Sequence, residues 1–296
     1  MKSSGTSGEA DDAWADGDVA APVFCLLAPN PGPLTLDGTN TWVICPPTAK
    51  WAVVVDPGPN DERHLAAIQQ AVAVRGAKVA SVLLTHGHRD HSAGAAAIAQ
   101  SAGCDVLALD QVFASEGARL AAGDSIDVGS TRIEVVATPG HSSDSVSFLI
   151  RSQRLLLTGD TVLGRGTSVV AYPDGTLAAY LDSLRRLLEL AGKLPLARVL
   201  PGHGAPVGDP QRTIAAYLRH RSERLEQIET ALAGMGVDRE ELVTAVSDPV
   251  ALAKIAGRLV TTVYAEVPES VRLAALSSVL AQLEYLAAQG SGRAGC

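Results

Sequence analysis

Thr85-His86-Gly87-His88-Arg89-Asp90-His91 decides how this chain is read. Three imidazoles and a carboxylate fall between positions 86 and 91, directly after the apolar run 79–85. That run has the length and β-branched content of a buried strand, and an alanine-rich helical pattern opens near Ser92. The cluster therefore belongs on a strand-to-helix turn. Side chains at i, i+2, i+4 and i+5 on such a turn splay to two sides, so one pair can serve one ion and the other pair a second. Imidazole nitrogen and carboxylate oxygen at about 2.0–2.2 Å suit a divalent transition metal such as zinc. Without a metal the same groups would need solvation or partners.

Three more polar residues stand at the ends of apolar runs, each beside a glycine. His141 follows Thr138-Pro139-Gly140, Asp160 follows Leu157-Thr158-Gly159, and His203 follows Leu200-Pro201-Gly202. Glycine lets the backbone turn sharply and approach a neighbour closely. Asp56 ends another buried run, 51–55, at the turn Asp56-Pro57-Gly58.

The rest of the chain frames these positions. Strands are expected at 23–27, 41–44, 51–55, 79–85 and 105–109. Two hairpins follow, 124–128 with 131–138 and 145–150 with 154–158, and a short strand at 199–200. Residues 61–75 and 177–190 have helical periodicity. After Pro210 the texture becomes helical throughout. Helices are predicted at 213–232, from an Asp238 cap through Val246, at 251–264, and from Pro268 to Ala288. This gives an α/β sandwich over 21–210, a helical domain over 211–296, and a disordered tail over the Ser/Gly/Asp-rich residues 1–20.

Composition narrows the function. Of 296 residues, 47% are hydrophobic and 19% charged, which fits a globular protein and excludes global disorder. No window holds 18 consecutive apolar residues, so no membrane span is expected. The N-terminus lacks the basic start and apolar core of a signal peptide, so a cytoplasmic location is expected. Cys25, Cys45, Cys104 and Cys296 form no C-x-x-C pair, which fits free thiols in a reducing compartment. The net charge is −8, and the 211–296 segment holds nine basic and ten acidic side chains. That balance argues against tight DNA binding.

Taken together, Asp56, the 86–91 cluster, His141, Asp160 and His203 resemble the signature positions of the metallo-β-lactamase superfamily, the αβ/βα fold. The resemblance implies one zinc on His86, His88 and His141, and a second on Asp90, His91 and His203. It implies Asp160 as the bridge between them and Asp56 as a hydrogen-bonding support for the 86–91 loop. A narrower likeness, to the lactamase-β-like subgroup with a winged-helix-type tail, rests on 30–42, on 159–167 and on His220-Arg221 within 217–229. Members of that subgroup are described as single-strand endoribonucleases and as thioesterases.

The implied enzyme is a dinuclear-zinc hydrolase whose metal-bridging hydroxide attacks the substrate, with Asp90 and Asp160 in catalytic roles. Manganese and iron are alternative metals. Single-stranded RNA is the first expected substrate. A thioester or glyoxalase-II-like small molecule is the alternative, and a β-lactam comes last. Arg165 is read as a rim contact for a substrate anion, and Asn40 and Thr41 as residues lining the site. His64 is read as a solvated helix residue. Loss of ligands would mark a non-enzymatic binding module, and a basic tail would mark a winged-helix regulator; neither is present in the sequence. A homodimer stays open.

Overall fold

The computed structural model describes residues 14–289. Cys296 and residues 1–13 lie outside that range.

Alternation along the central strands sorts side chains into layers. Strands β1 (Gly17–Ala20), β2 (Val23–Leu27), β3 (Asn40–Ile44), β4 (Trp51–Val55), β5 (Lys78–Leu83) and β6 (Asp105–Leu107) form one sheet in that order. In β3 and β4, Trp42, Ile44, Val53 and Val55 face the space between the two sheets, while Val43, Ala52 and Val54 face outward. The outward face is covered by α1 (Glu62–Val74) and α3 (Ala95–Ala102) through Leu65, Ile68 and Ile98. Both faces are buried, so these strands read as continuous apolar runs.

The second sheet repeats the arrangement. Its order is β11 (Arg198–Pro201), β10 (Leu155–Gly159), β9 (Val146–Ile150), β8 (Thr131–Ala137) and β7 (Ser125–Val128). Phe148, Ile150, Leu155 and Leu157 point between the sheets. Leu149 and Leu156 pack outward against α4 (Leu177–Lys193) and α5 (Pro210–Gly234). The pairs β4/β5 and β5/β6 in the first sheet and β10/β11 at the edge of the second are parallel, and the remaining pairs are antiparallel.

The helical part folds as the sequence predicts. Helices α6 (Arg239–Val246), α7 (Pro249–Val263) and α8 (Arg272–Ala288) close around Ile228, Leu242, Leu259, Val279 and Leu283. Asp209, Asp238 and Asp248 cap α5, α6 and α7 through their carboxylates. Residues 269–288 are long and apolar enough to cross a membrane by composition alone. Here Val279, Leu283 and Ala287 are packed inside the bundle.

The N-terminal expectation needs correcting from Trp14 onward. Residues 17–20 form β1 on the edge of the first sheet, pairing Asp18 with Phe24. The Trp14 ring packs 6.5 Å from that of Trp42, and its Nε1–H donates to Asn40 Oδ1 at 2.8 Å. One aromatic anchor and one free sheet edge order a segment that its polar composition marked as disordered.

Candidate metal centre

Loops at the strand ends deliver the predicted ligands to one place. His86 and His88 follow β5; Asp90 and His91 lie on the short helix α2 (Arg89–Ser92). His141 sits in the β8–β9 turn, Asp160 directly follows β10, and His203 follows β11. Backbone bonds tie these ends together. Val146 N–H donates to Thr85 O, Asn40 N–H to Gly202 O, and Gly202 N–H to Gly159 O, each at 2.8 Å. A side chain on Gly202 would put its Cβ 2.7 Å from His91 Cε1, which is why glycine precedes His203.

The polar atoms converge in two trios with one carboxylate between them. His88 Nδ1 lies 3.1 Å from His86 Nε2 and 2.9 Å from His141 Nε2. His203 Nε2 lies 3.2 Å from Asp90 Oδ2 and 3.3 Å from His91 Nε2. Asp160 reaches both groups: 3.4 Å to His91 Nε2, 3.4 Å to His203 Nε2 and 3.8 Å to His141 Nε2. Donor atoms about 2.0–2.2 Å from a tetrahedral ion stand roughly 3.3–3.6 Å apart. The donor set and its spacing fit a divalent metal. Asp160 Oδ1 adds to the fit, being buried with no hydrogen-bond partner among the described residues.

The outer ring atoms explain why the inner ones face the centre. His91 Nδ1–H donates to Asp56 Oδ2 at 2.9 Å, His141 Nδ1–H to Val169 O at 2.6 Å, and His203 Nδ1–H to Gly38 O at 3.1 Å. Thr85 Oγ1–H donates to Asp56 Oδ2 at 2.6 Å and can accept from His86 Nδ1 at 3.0 Å. When neutral, each of these imidazoles is thereby held with its Nε2 lone pair inward. Asp56 also accepts from Thr85 N–H at 2.8 Å, and its own backbone sits at φ 51°. A left-handed aspartate is uncommon, and this one aims its carboxylate under the 86–91 loop. Asp56→Asn is expected to weaken metal binding by about 10–100-fold, read by competition with a chromophoric chelator. Unchanged affinity would remove Asp56 from the support of the site.

Charge is distributed unevenly across the centre. Burial pushes His86 well below its usual value and His141 down to about 4. Burial opposes the charge on His203, but Asp160 and Asp90 lift it to about 9. His91 is likewise raised against burial by Asp160, Asp56 and Asp90. Burial also disfavours ionised Asp90, yet His91 and His203 hold it at about 2. Asp160 is driven well down, against burial, by His203 and His91. Protons on His91 and His203 thus occupy the side where a metal would sit. Loading a metal displaces them, so affinity is expected to fall as pH drops from about 9 to 6. Chelator competition across that range is the check; a flat profile would contradict this charge distribution.

Several sequence expectations change. Asn40 and Thr41 do not line the site, for both side chains are fully buried behind it. Asn40 Nδ2 donates to Pro201 O at 3.0 Å and Gly204 O at 2.8 Å, gripping the His203 loop. Thr41 Oγ1 donates to Asp56 O at 2.8 Å and lies 2.9 Å from His64 Nε2. Their polar atoms are taken up by backbone carbonyls, Trp14 and His64, so none is left for a substrate. His64 is buried, not solvated. Arg165 stands at the rim as expected, but it is paired in a fork with Asp37. Arg221 of α5 went unforeseen as a core residue. Its guanidinium is buried, lies 4.9 Å from the Tyr180 ring centroid, and bonds Ser168 O. Its helical spacing alone matched a solvated face.

Over the centre lies a cavity of about 600 Å³. His88, Asp90, His141, Asp160 and His203 form its floor. Leu34, Leu36, Leu163, Val169, Ala171 and Ala274 supply much of its wall. The last of these comes from α8, so both parts of the chain enclose the site. Ser277 on the same helix fixes that wall, donating to Val170 O at 3.0 Å and accepting from Tyr172 N–H at 2.8 Å.

Comparison with known proteins agrees with this geometry. Residues 34–203 match the metallo-beta-lactamase superfamily, and 256–291 match the beta-lactamase associated winged helix domain. The chain belongs to the metallo-beta-lactamase superfamily, a family of hydrolases, and carries that C-terminal domain. Among the described residues the C-terminal domain is helical from Pro210 to Ala288 and contains no hairpin. The chain is 29% identical over 277 residues to the beta-lactamase-like protein 2 homolog of Caenorhabditis elegans, covering 90% of this chain and 84% of the relative. It is 30% identical over 229 residues to an atrochrysone carboxyl ACP thioesterase of Aspergillus fumigatus, covering 76% and 69%. A beta-lactamase domain protein from Burkholderia ambifaria shares the fold, with a TM-score of 0.71 at 23% identity over 95% of this chain and 91% of that one.

Proposed function

We propose that this protein hydrolyses acyl thioesters at a centre of two divalent ions. Zinc is the first expectation, and manganese and iron are alternatives. The cavity carries this reading. Its aliphatic wall suits an acyl group, and its floor presents the polar atoms to one end of that group. Among the described residues no Phe, Tyr or Trp lines it for base stacking, and Arg165 is already held by Asp37. RNA, the first expectation from sequence, is therefore the poorer fit. The thioesterase among the relatives points the same way.

Divalent ions at such a centre supply Lewis acidity, which makes water nucleophilic near neutral pH and polarises a carbonyl. The chain's own groups do the rest. His86, His88 and His141 would hold one ion, and Asp90, His91 and His203 the other, with Asp160 between them. Asp56, Gly38 O and Val169 O fix the imidazoles. The apolar wall excludes bulk water and positions the acyl carbon. Water adds to that carbon, the C–S bond breaks, and the acid and the protonated thiol leave.

The test is thiol release from S-octanoyl and S-aroyl pantetheine by metal-replete protein, beside a 5′-labelled single-stranded RNA. Thioester turnover with kcat/KM on the order of 10⁴ M⁻¹s⁻¹ is expected. RNA cleavage without thiol release would overturn the reading.

A further inference from the structure

We infer that a second recess, behind the Gly166-Thr167 loop, binds the phosphate of a pantetheine arm that carries the acyl group into the cavity. The inference rests on the thioester reading for the arm's identity. The recess has a volume of about 320 Å³ and is lined by Arg212, Thr213 and His220 of α5 and by Thr167 across from them. Positions 212, 213, 216, 217 and 220 share one helix face, so both basic side chains and a hydroxyl come to the same side. Among the described residues no carboxylate lines the recess, although the chain as a whole is acidic.

Two features ask for a ligand there. His220 Nδ1 is buried and has no hydrogen-bond partner among the described residues. A buried polar atom without a partner is costly, and a turn of the His220 ring toward the recess would let a bound acceptor supply one. Arg212 is in no ion pair among the described residues; its backbone N–H bonds Asp209. A guanidinium fork, an imidazole N–H and two hydroxyls together suit an oxyanion with three or more oxygens, which favours phosphate over carboxylate.

The recess and the cavity over the metal centre are neighbours. Gly166 and Thr167 line both. Gly166 has φ +71°, and a Cβ there would meet nothing within 4 Å. At Gly166 the divide between the two spaces is therefore bare backbone under open space. An extended chain can cross it, with its thioester over His141 and Asp160 and its phosphate at Arg212 and His220.

Calorimetric titration of the metal-replete full chain with 4′-phosphopantetheine and with pantetheine tests this. The phosphorylated arm is expected to bind at least tenfold more tightly. Arg212→Ala and His220→Ala should each remove most of that preference, and His220→Gln should restore part of it. Thiol release from S-octanoyl-N-acetylcysteamine, which has no phosphate, should be unchanged in these variants. Acyl-carrier-protein and coenzyme A thioesters then distinguish the source of the arm. Equal binding of the two ligands by the wild-type chain would overturn the proposal. So would a preference that survives Arg212→Ala together with His220→Ala, because the phosphate would then sit elsewhere. Thiol release without phosphate preference leaves the hydrolytic reading intact and removes the recess. Phosphate preference without any thiol release does the reverse.

Discussion

Asp160→Asn is expected to lower thioester kcat/KM by on the order of 10³ or more and to leave at most one tightly held metal per chain. The side chain stands between the two trios, 3.4 Å from both His91 and His203 and 3.8 Å from His141. Asparagine keeps the shape and removes the charge. His91 and His203 lose a counter-charge that raises both. Oδ1 is also buried with no other partner, so the amide gains nothing in exchange. Metal content by mass spectrometry and thiol release by absorbance read the two effects separately. Activity within tenfold of wild type, with full metal content, would show that Asp160 does not join the two halves of the site.

The second large effect belongs to a residue with no polar side chain. Gly140→Ala is expected to destabilise the fold by about 3 kcal/mol or more, lowering Tm by roughly 6–12 °C. Gly140 has φ +136°, which an L side chain rarely adopts. An added Cβ would also run into the backbone of Tyr180, in the first turn of α4. Helix backbone cannot yield as a side-chain tip can. His141 is the next residue, so any relief by movement would displace a candidate ligand. Gly257→Ala is the counterpart. That glycine lies inside α7 with open space around it, and alanine there should stabilise by up to about 1 kcal/mol. Thermal denaturation of both variants checks the argument. Equal small changes would mean that the His141 turn accommodates a side chain.

What the sequence revealed follows distance along the chain. The 86–91 cluster is local, so its spacing and the strand before it were enough to mark it. His141, Asp160 and His203 were legible because each ends an apolar run beside a glycine, and strand ends are where such sites are built. Asn40, Thr41 and His64 were misread for the opposite reason. Asn40 bonds Pro201 O and Gly204 O, Thr41 bonds Asp56 O, and His64 meets Thr41, contacts that only the folded sheets bring together. The burial of Arg221 was not legible because helical spacing cannot distinguish a solvated face from one buried against Ser168 and Tyr180. The cavity was out of reach altogether. Its wall is drawn from 33–36, 163–171 and 274–277, three stretches with no shared pattern.

Asn40 takes one bond from Trp14 and gives two to the carbonyls flanking the His203 loop. The first aromatic ring of the described chain is thus a single side chain away from the loop that carries His203. Fusing an affinity tag close to Trp14, or trimming past it, is therefore a change to the chemistry as well as to an end. Preparations that differ only there should differ in how firmly they retain metal.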